Sequence, residues 1–444
     1  MGLLILCGCF DCVGFLLLMN KETVSAMSCS ARLKTNLGMT SALSTHEVLN
    51  SNDTMCEILI LLPPETIYKL ILVSKRWLEI IASPCFRHTY LAKWKPNFEL
   101  IGFFVCSSMY LGRRIDGTRR PRAEPSLPLL STSSIGDEIE SSGILKKLGY
   151  YIDSADGLLL CGRHPKAYYL WDPSTQKQQQ LPRPRVHFEE LCMSLISEDS
   201  PDQGFSYKVV RAECVAFPVN STKVKVETFS SKTSTWSYSE LICLEPLSLS
   251  PWTPGRVIKG VVYWHARGGK IAIYDSNSEE KRIDVIKLPK TYDYDEQVLG
   301  ETDDGSLQYG WSNKSVMEVW KLEKVGNVLE WNLLFKVNFK AMWKMNQAVA
   351  TRFSTWTKET QLLALFNQKS DLVYIRCDTQ IFIYHTETKR VEVVQYQGRK
   401  STLVWDFNKV VPYFRRTWPC SPLFENNAMM IDTPQCNASS AGSN

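Results

Sequence analysis

The chain has 444 residues, 44% of them hydrophobic, and 51 Lys and Arg stand against 46 Asp and Glu for a formal net charge of +5. That length exceeds one average domain and the apolar fraction allows a large buried core, which excludes a disordered chain. So slight a charge bias over this length gives no reason to expect a nucleic-acid partner.

At the N-terminus, "MGLLILCGCFDCVGFLLLMNK" is apolar but has no basic residue before Lys21 and is interrupted by Asp11, so it does not read as a secretory signal. It is also short of the roughly 20 apolar residues a membrane span needs. Leu6 stands where N-myristoylation favours Ser or Thr. Residues 1–43 are expected to be a disordered leader, with no stable membrane insertion. Cys7, Cys9 and Cys12 make a C-x-C-x-x-C cluster without a fourth ligand nearby, so no metal is expected. The remaining cysteines lie singly, many in apolar stretches such as "LLLCG", as buried thiols do in the reducing cytoplasm or nucleus.

Residues 44–92 read as a small helical module. Asn52 or Asp53 can cap a first helix with Glu57 in its first turn and an apolar face from "MCEILILL", ending at Leu62. Pro63 breaks the run and Pro64 suits the first position of a second helix. Ile67, Leu70, Ile71, Trp77, Leu78 and Ile81 recur at spacings of three and four, "SKR" turns the chain into a third helix, and Ser83-Pro84 stops it. A unit of fewer than about 50 residues buries too little of its surface to hide all these groups. Part of the apolar face therefore meets either the C-terminal region or a partner.

The stretch "NDTMCEILILLPPETIYKLILVSKRWLEIIASPCF" resembles the F-box, especially its plant form: an acidic-start helix, Leu-Pro-Pro, then Val-Ser-Lys-x-Trp, then Ser-Pro-x-Phe. The Leu-Pro pair usual at the motif's start is replaced by Asn50-Ser51. The resemblance implies docking on the Skp adaptor and, through it, on cullin and RING subunits. Carried over by position, the adaptor-facing or module-shaping residues are Ile58, Leu59, Leu62, Pro63, Pro64, Leu70, Val73 and Trp77. For each of them, and for Trp77 in particular, a purely internal role competes.

From residue 93 to 425 the pattern turns to period two. "FELIGFFVC" and "KKLGYYIDSADGLLLCG" read as strands, whereas residues 111–143, rich in Arg, Pro, Ser and Gly, read as a loop. A unit of strand, polar turn and strand then recurs: "AYYLWDPSTQKQQQLP", "VKVETFSSKTSTWSYS", "IAIYDSNSEEKRIDVIKLP", "MEVWKLEKVGNVLEWNLL" and "IFIYHTETKRVEVVQYQ". Further strands precede several copies ("GLLLCG", "ECVAFP", "GVVYWHA", "LVYIRCD"), at spacings suited to propeller blades. "DSADGLLLC" followed by "WDPSTQKQQQLP" is similar to the F-box-associated or kelch-like region of plant F-box proteins, although Gly268-Gly269 sits in a hairpin turn rather than in a kelch double glycine. The expected fold is α+β multidomain: a three-helix F-box, a mainly β region forming a propeller, with a sandwich as the alternative, and a disordered tail at 426–444.

No catalytic residues are expected. The histidines form no H-x-x-x-H or H-x-H pair, no G-x-S-x-G, P-loop or dinucleotide fingerprint is present, and "DYDE" and "ETDDG" read as solvated acidic loops. The resemblance implies a non-catalytic substrate-recognition subunit of a Skp-cullin-F-box ubiquitin ligase, without cofactor, whose β region binds an unknown target protein. Two alternatives stay open: a propeller enzyme or glycan-binding module with merely structural helices, and an F-box protein acting outside ubiquitination.

Overall fold

The computed structural model describes residues 51–94 and 100–414, except 64–65, 68–69, 72, 107–128, 133–146, 164–166, 174–176, 201–203, 216–220, 251–254, 291–295, 327, 366–370, 379 and 396–408. The leader, the Cys7, Cys9 and Cys12 cluster and the tail fall outside the described residues. The chain divides into two compact units, Met1–Leu59 and Ile60–Asn444.

The described part of the first unit is nearly all of α1 (Asn52–Ile60), an amphipathic helix that buries Met55 and Leu59. Its cap is Ser51 rather than Asn52 or Asp53: the Ser51 hydroxyl accepts from Thr54 N at 3.4 Å, and Asp53, not Glu57, supplies the first-turn carboxylate. The helix ends at Ile60, two residues before the expected Leu62.

The second unit opens with a helical turn at Thr66–Ile67 and Leu70, then α2 (Lys75–Ala82) and α3 (Pro84–Trp94). Ser83-Pro84 does stop α2, but it also starts α3, which the sequence reading did not anticipate. Beyond α3 the unit is β-structure. β1 (Leu100–Cys106), β2 (Leu129–Ser131) and the late β23 (Lys409–Phe414) form one sheet in the order β2-β1-β23. β2 lies inside the segment read as a loop over 111–143; Gly102 makes this pairing sterically feasible, because a Cβ there would sit 2.5 Å from the Leu130 carbonyl oxygen.

Five antiparallel four-stranded meanders follow in chain order. The first is β3 (Tyr150–Ala155), β4 (Leu158–Arg163), β5 (Ala167–Asp172) and β6 (Lys177–Gln180). The second is β7 (Leu191–Ser200), β8 (Gly204–Glu213), β9 (Ser221–Ser230) and β10 (Thr235–Leu247); the third is β11 (Arg256–Ile258), β12 (Val261–Ala266), β13 (Lys270–Asp275) and β14 (Arg282–Lys287). The fourth is β15 (Glu296–Glu301), β16 (Leu307–Ser312), β17 (Val316–Val325) and β18 (Val328–Asn338); the fifth is β19 (Thr360–Leu365), β20 (Leu372–Cys377), β21 (Gln380–His385) and β22 (Val391–Val393). The second and third join at their outer strands, where β10 runs parallel to β14 at Ile242↔Arg282 and Cys243↔Ile283. The strand-turn-strand copies in the sequence are the third and fourth strands of these meanders, and Gly268-Gly269 forms the β12–β13 turn with φ of 73° and 67°.

Alternate side chains along each strand point to opposite faces, and here both faces meet a neighbouring sheet. On β4, Leu158 and Leu160 pack with Phe188, Met193 and Trp236 of the second-meander side, while Leu159 and Cys161 pack with Phe104 and Tyr413 of the β2-β1-β23 sheet. The same division recurs around the molecule: Val262 and Trp264 against Val226 and Cys243, Ile258 against Leu307 and Leu322, Met317 and Val319 against Leu362 and Ile375, and Phe103 and Leu130 against Tyr374 and Ile381. Among the described residues six sheets thus meet in six interfaces and close a ring: the end strands β3, β7, β11, β15, β19 and β23 succeed one another, and Tyr413 of β23 packs back on the first meander. This is a β-propeller, not a sandwich. Buried thiols at Cys161, Cys192, Cys214, Cys243 and Cys377 fill these interfaces, whereas Cys85 is exposed.

Two helices absent from the sequence reading, α4 (Phe339–Met345) and α5 (Gln347–Phe353), follow β18. Asn338 caps α4 by accepting from Ala341 N at 3.0 Å, and Phe339, Met342 and Trp343 pack between the fourth and fifth meanders.

Inside the second meander, Arg211 and Glu227 face each other across β8 and β9 at 2.6 Å, 1% and 0% exposed. Glu227 also accepts from Arg185 N and Val186 N, and the guanidinium lies 5.1 to 5.5 Å from the rings of Tyr168, Phe188 and Trp236. Removing one partner strands a buried charge, so Glu227→Ala is expected to cost about 3–5 kcal/mol, read as a lower denaturant midpoint, and Arg211→Met with Glu227→Leu should cost much less than that single change.

Candidate functional site

The helical segment of the second unit is built on three aromatic residues spaced by four. Phe86, Tyr90 and Trp94 stack along α3 with centroid separations of 5.7 and 6.0 Å. The last carbonyls of an α-helix lack intrahelical partners. Here Trp94 Nε1 donates to the Ile60 carbonyl and Tyr90 Oη to the Leu62 carbonyl, each at 2.9 Å. These two bonds hold the start of the second unit, Ile60 to Leu62, against α3. Pro63 then accepts from Ile67 N at 3.2 Å, starting the short helical turn that carries Leu70.

Two serines set the remaining boundaries. Ser74, with extended φ and ψ of −155° and 155°, accepts from Trp77 N at 3.2 Å and caps α2. Ser83 acts twice: its hydroxyl donates to the Ile80 carbonyl at 2.8 Å and accepts from Phe86 N at 3.3 Å, so one residue closes α2 and caps α3, with Pro84 in the first position where no N–H is needed. That is the physical content of the Ser-Pro-x-Phe motif.

The residues singled out from sequence separate by exposure. Leu59, Leu62 and Leu70 are buried, so they shape the helices. Ile58, Pro63 and Trp77 are half-buried, and Val73 is 48% exposed. Pro64 lies outside the described residues. Two exposed apolar residues were missed, Leu61 at 49% and Leu78 at 41%. Only weak signals marked them: Leu61 follows the helix end, and Leu78 lies in α2 nearly opposite the inward-facing Ile80. Among the described residues, the large apolar groups of the second unit's helical segment that face water are Leu61, Val73 and Leu78, flanked by charged Lys75 and Glu79.

In "ETDDG", Glu301 pairs with Arg256 and Asp304 with Lys321. Asp304, in the β15–β16 turn, binds Lys321 Nζ at 2.8 Å and accepts from Thr302 Oγ1, and these bonds hold its carboxyl well below the usual carboxylate range. "DYDE" lies largely outside the described residues. Among the described residues no group of three or more His, Cys, Asp or Glu is arranged to hold a metal ion, and no helix is long and apolar enough to cross a membrane. On the propeller, Trp356 is 48% exposed in the turn that enters β19, followed in sequence by Lys358, which pairs with Asp378, and Glu359, which pairs with Lys314.

Comparison with known proteins matches residues 51–89 to the F-box domain and residues 131–413 to a family described as "F-box protein At3g26010-like, beta-propeller". Among relatives from Arabidopsis thaliana, F-box protein At5g07610 is 24% identical over 336 residues, covering 70% of this chain and 76% of that protein. F-box protein At1g30790 is 22% identical, covering 78% and 89%, and the putative F-box/kelch-repeat protein At4g22430 is 21% identical, covering 64% and 68%.

Because Ser83 serves two helices at once, Ser83→Ala is expected to destabilise the helical segment by about 1–2 kcal/mol, with Ser83→Asp retaining most of the α3 cap. Amide hydrogen exchange over α2 and α3 measures it.

Proposed function

Since the chain belongs to the F-box family with an At3g26010-like β-propeller, we propose that it is a substrate-recognition subunit of a Skp-cullin-F-box ubiquitin ligase. In this reading residues 44–92 dock on the Skp adaptor, which links the chain to the cullin and RING subunits, and residues 93–425 bind the target protein. The chain then performs no bond chemistry. It raises the effective concentration of a target lysine beside the charged ubiquitin-conjugating enzyme, a gain that depends on geometry rather than on any new contact at the reacting atoms.

The observation that carries the reading is the presence, in one chain, of an F-box match over 51–89 and a propeller match over 131–413. The exposure pattern supports it: among the described residues, Leu61, Val73 and Leu78 remain in water on a helical segment that buries Ile67, Leu70, Ile80 and Ile81, as partner-facing residues would be. For the target, Trp356 is the exposed tryptophan among the described residues of the propeller, and so large and stiff a ring has the character of an interface anchor.

Replacing Leu61, Val73 and Leu78 together by Asp should lower adaptor affinity by about 2–4 kcal/mol, some thirty- to a thousand-fold, with the propeller's melting temperature unchanged. Leu62→Ala should instead weaken binding through loss of helix stability, because its side chain is buried. Co-purification of the adaptor with each variant, with thermal melting of the same samples, distinguishes the two. Undiminished adaptor recovery by the triple variant contradicts the proposed docking residues. Equal recovery by a chain lacking residues 47–90 contradicts the F-box reading itself.

A further inference from the structure

From Trp331 to Lys358, a stretch that includes α4 and α5, the chain has five cations, Lys336, Lys340, Lys344, Arg352 and Lys358, and no Asp or Glu. Two of the five are held: Lys336 binds Glu318 at 2.9 Å and Lys358 binds Asp378 at 2.7 Å. Lys340, Lys344 and Arg352 are exposed and, among the described residues, make no ion pair; Arg352 lies 5.2 Å from the ring of its neighbour Phe353. The inward turn of Phe339, Met342 and Trp343 leaves Lys340, Lys344 and Met345 on the outer face of α4. Between the helices, Asn346 donates to the Lys389 carbonyl at 3.0 Å and accepts from Val391 N at 2.9 Å, which ties exposed Lys389 and Arg390 to the end of α4. Met345 is 64% exposed, and Trp356 stands on the turn Thr355–Thr357, which packs against both helices.

We propose that this helical surface docks an acidic segment of the target protein, one in which Asp or Glu residues flank an apolar side chain. The inference rests on the reading of the propeller as the target-binding region and names the class of segment it takes. Charge complementarity selects the partner. Among the described residues, the five cations Lys340, Lys344, Arg352, Lys389 and Arg390 share the surface with one acid that likewise makes no ion pair, Glu387, so an acidic chain is drawn in and its register fixed. The other acids at its border are engaged, Glu359 by Lys314 at 2.5 Å and Asp378 by Lys358.

Helix stability does not account for the arrangement. Lys344 and Arg352 lie in last turns, where a cation complements the helix dipole, but Lys340 lies in the first turn of α4, where a cation is disfavoured, and neither helix has an acid in its first turn. Local structure thus bears a cost that a partner's carboxylates would offset. Met345 beside the lysines favours a peptide over a nucleic acid, because its flexible aliphatic chain adapts to apolar side chains of a partner. Trp356 adds a stiff aromatic contact.

Fluorescence anisotropy on the full chain tests this with a labelled peptide of Asp and Glu around one central Phe, and with a second peptide carrying Ser in place of the Phe. The Phe peptide should bind with a Kd of about 10–100 μM, more weakly as salt rises, and the Ser peptide about threefold or more weaker. Lys340→Glu, Lys344→Glu and Arg352→Glu combined should weaken binding about tenfold or more, and the same three residues changed to Gln about threefold or more, with thermal melting of each variant as the fold control. Met345→Ser with Trp356→Ala should remove the difference between the peptides. Absence of binding up to about 1 mM, or binding indifferent to both triple variants, overturns the proposal. Tighter binding of a single-stranded oligonucleotide or of phosphatidylserine vesicles than of the peptide overturns the choice of partner. Co-purification of the Skp adaptor from the same samples separates this inference from the ligase reading: adaptor recovery without peptide binding overturns the inference alone, and peptide binding that the triple variants lose, without adaptor recovery, supports the surface and contradicts the ligase reading.

Discussion

β1 and β23 pair antiparallel from Leu100↔Phe414 to Cys106↔Lys409, and the ring of sheets depends on that meeting. The other sheets form from consecutive strands joined by short connections. This one joins the beginning of the β region to its end, so the entropy of a very long loop has to be overcome before any of its contacts form. What offsets that entropy lies on both faces of the closing sheet. Phe104 and Tyr413 enter the interface with the first meander, Phe103 and Leu130 enter the interface with the fifth, and Tyr413 Oη reaches the Gly157 carbonyl at 3.2 Å. Without β23, two interfaces lose a wall.

The neighbouring contacts follow from the same geometry. Side chains at the inner ends of the sheets tie each to the next: Leu195 N donates to Asp153 at 2.8 Å, Trp264 Nε1 to Ser194 Oγ at 2.9 Å, Arg256 binds Glu301 at 2.9 Å, and Leu362 N donates to Ser312 Oγ at 2.9 Å. These polar groups are buried or partly buried, and each partner spares the other an unsatisfied group. A scaffold whose five meanders are each tied to the next holds the turns on its faces in fixed relation, which is what a recognition surface on loops requires. It also leaves the helical segment free to specialise, since its own order comes from local bonds: the Phe86, Tyr90 and Trp94 stack, the two carbonyl acceptors at Ile60 and Leu62, and the double role of Ser83.

Much of this architecture was legible where the determining interaction is local. "YDSNSEEKRID" and "YHTETKRVE" announce third-to-fourth-strand hairpins because turn residues interrupt alternating apolar runs, and Ser83-Pro84 announces the end of α2. What escaped has two kinds of cause. β2 is three residues in an Arg- and Pro-rich stretch, and "KVVPYF" contains a proline, so their strand character comes from pairing with β1 and not from their own pattern. α3 and α4, by contrast, carried readable signals. Phe86, Tyr90 and Trp94 recur every four residues after Ser83-Pro84, and Asn338 precedes Phe339, Met342 and Trp343 at spacings of three and four. For the candidate site, family pattern located the segment, but only burial divided Leu59, Leu62 and Leu70 from Val73, Leu61 and Leu78. Sequence periodicity does not separate a face turned inward from one turned to a partner.

The central claim is that a short helical segment carries adaptor binding while the propeller serves as an independent scaffold. Hydrogen-deuterium exchange of the full chain, with and without the Skp adaptor, tests it most directly. Slowed exchange confined to peptides within residues 51–94, strongest around Leu61 and from Val73 to Leu78, with the strands from β3 to β22 unchanged, is the predicted result. Protection spread over the propeller strands, or an adaptor complex that leaves residues 51–94 unprotected, would contradict the account.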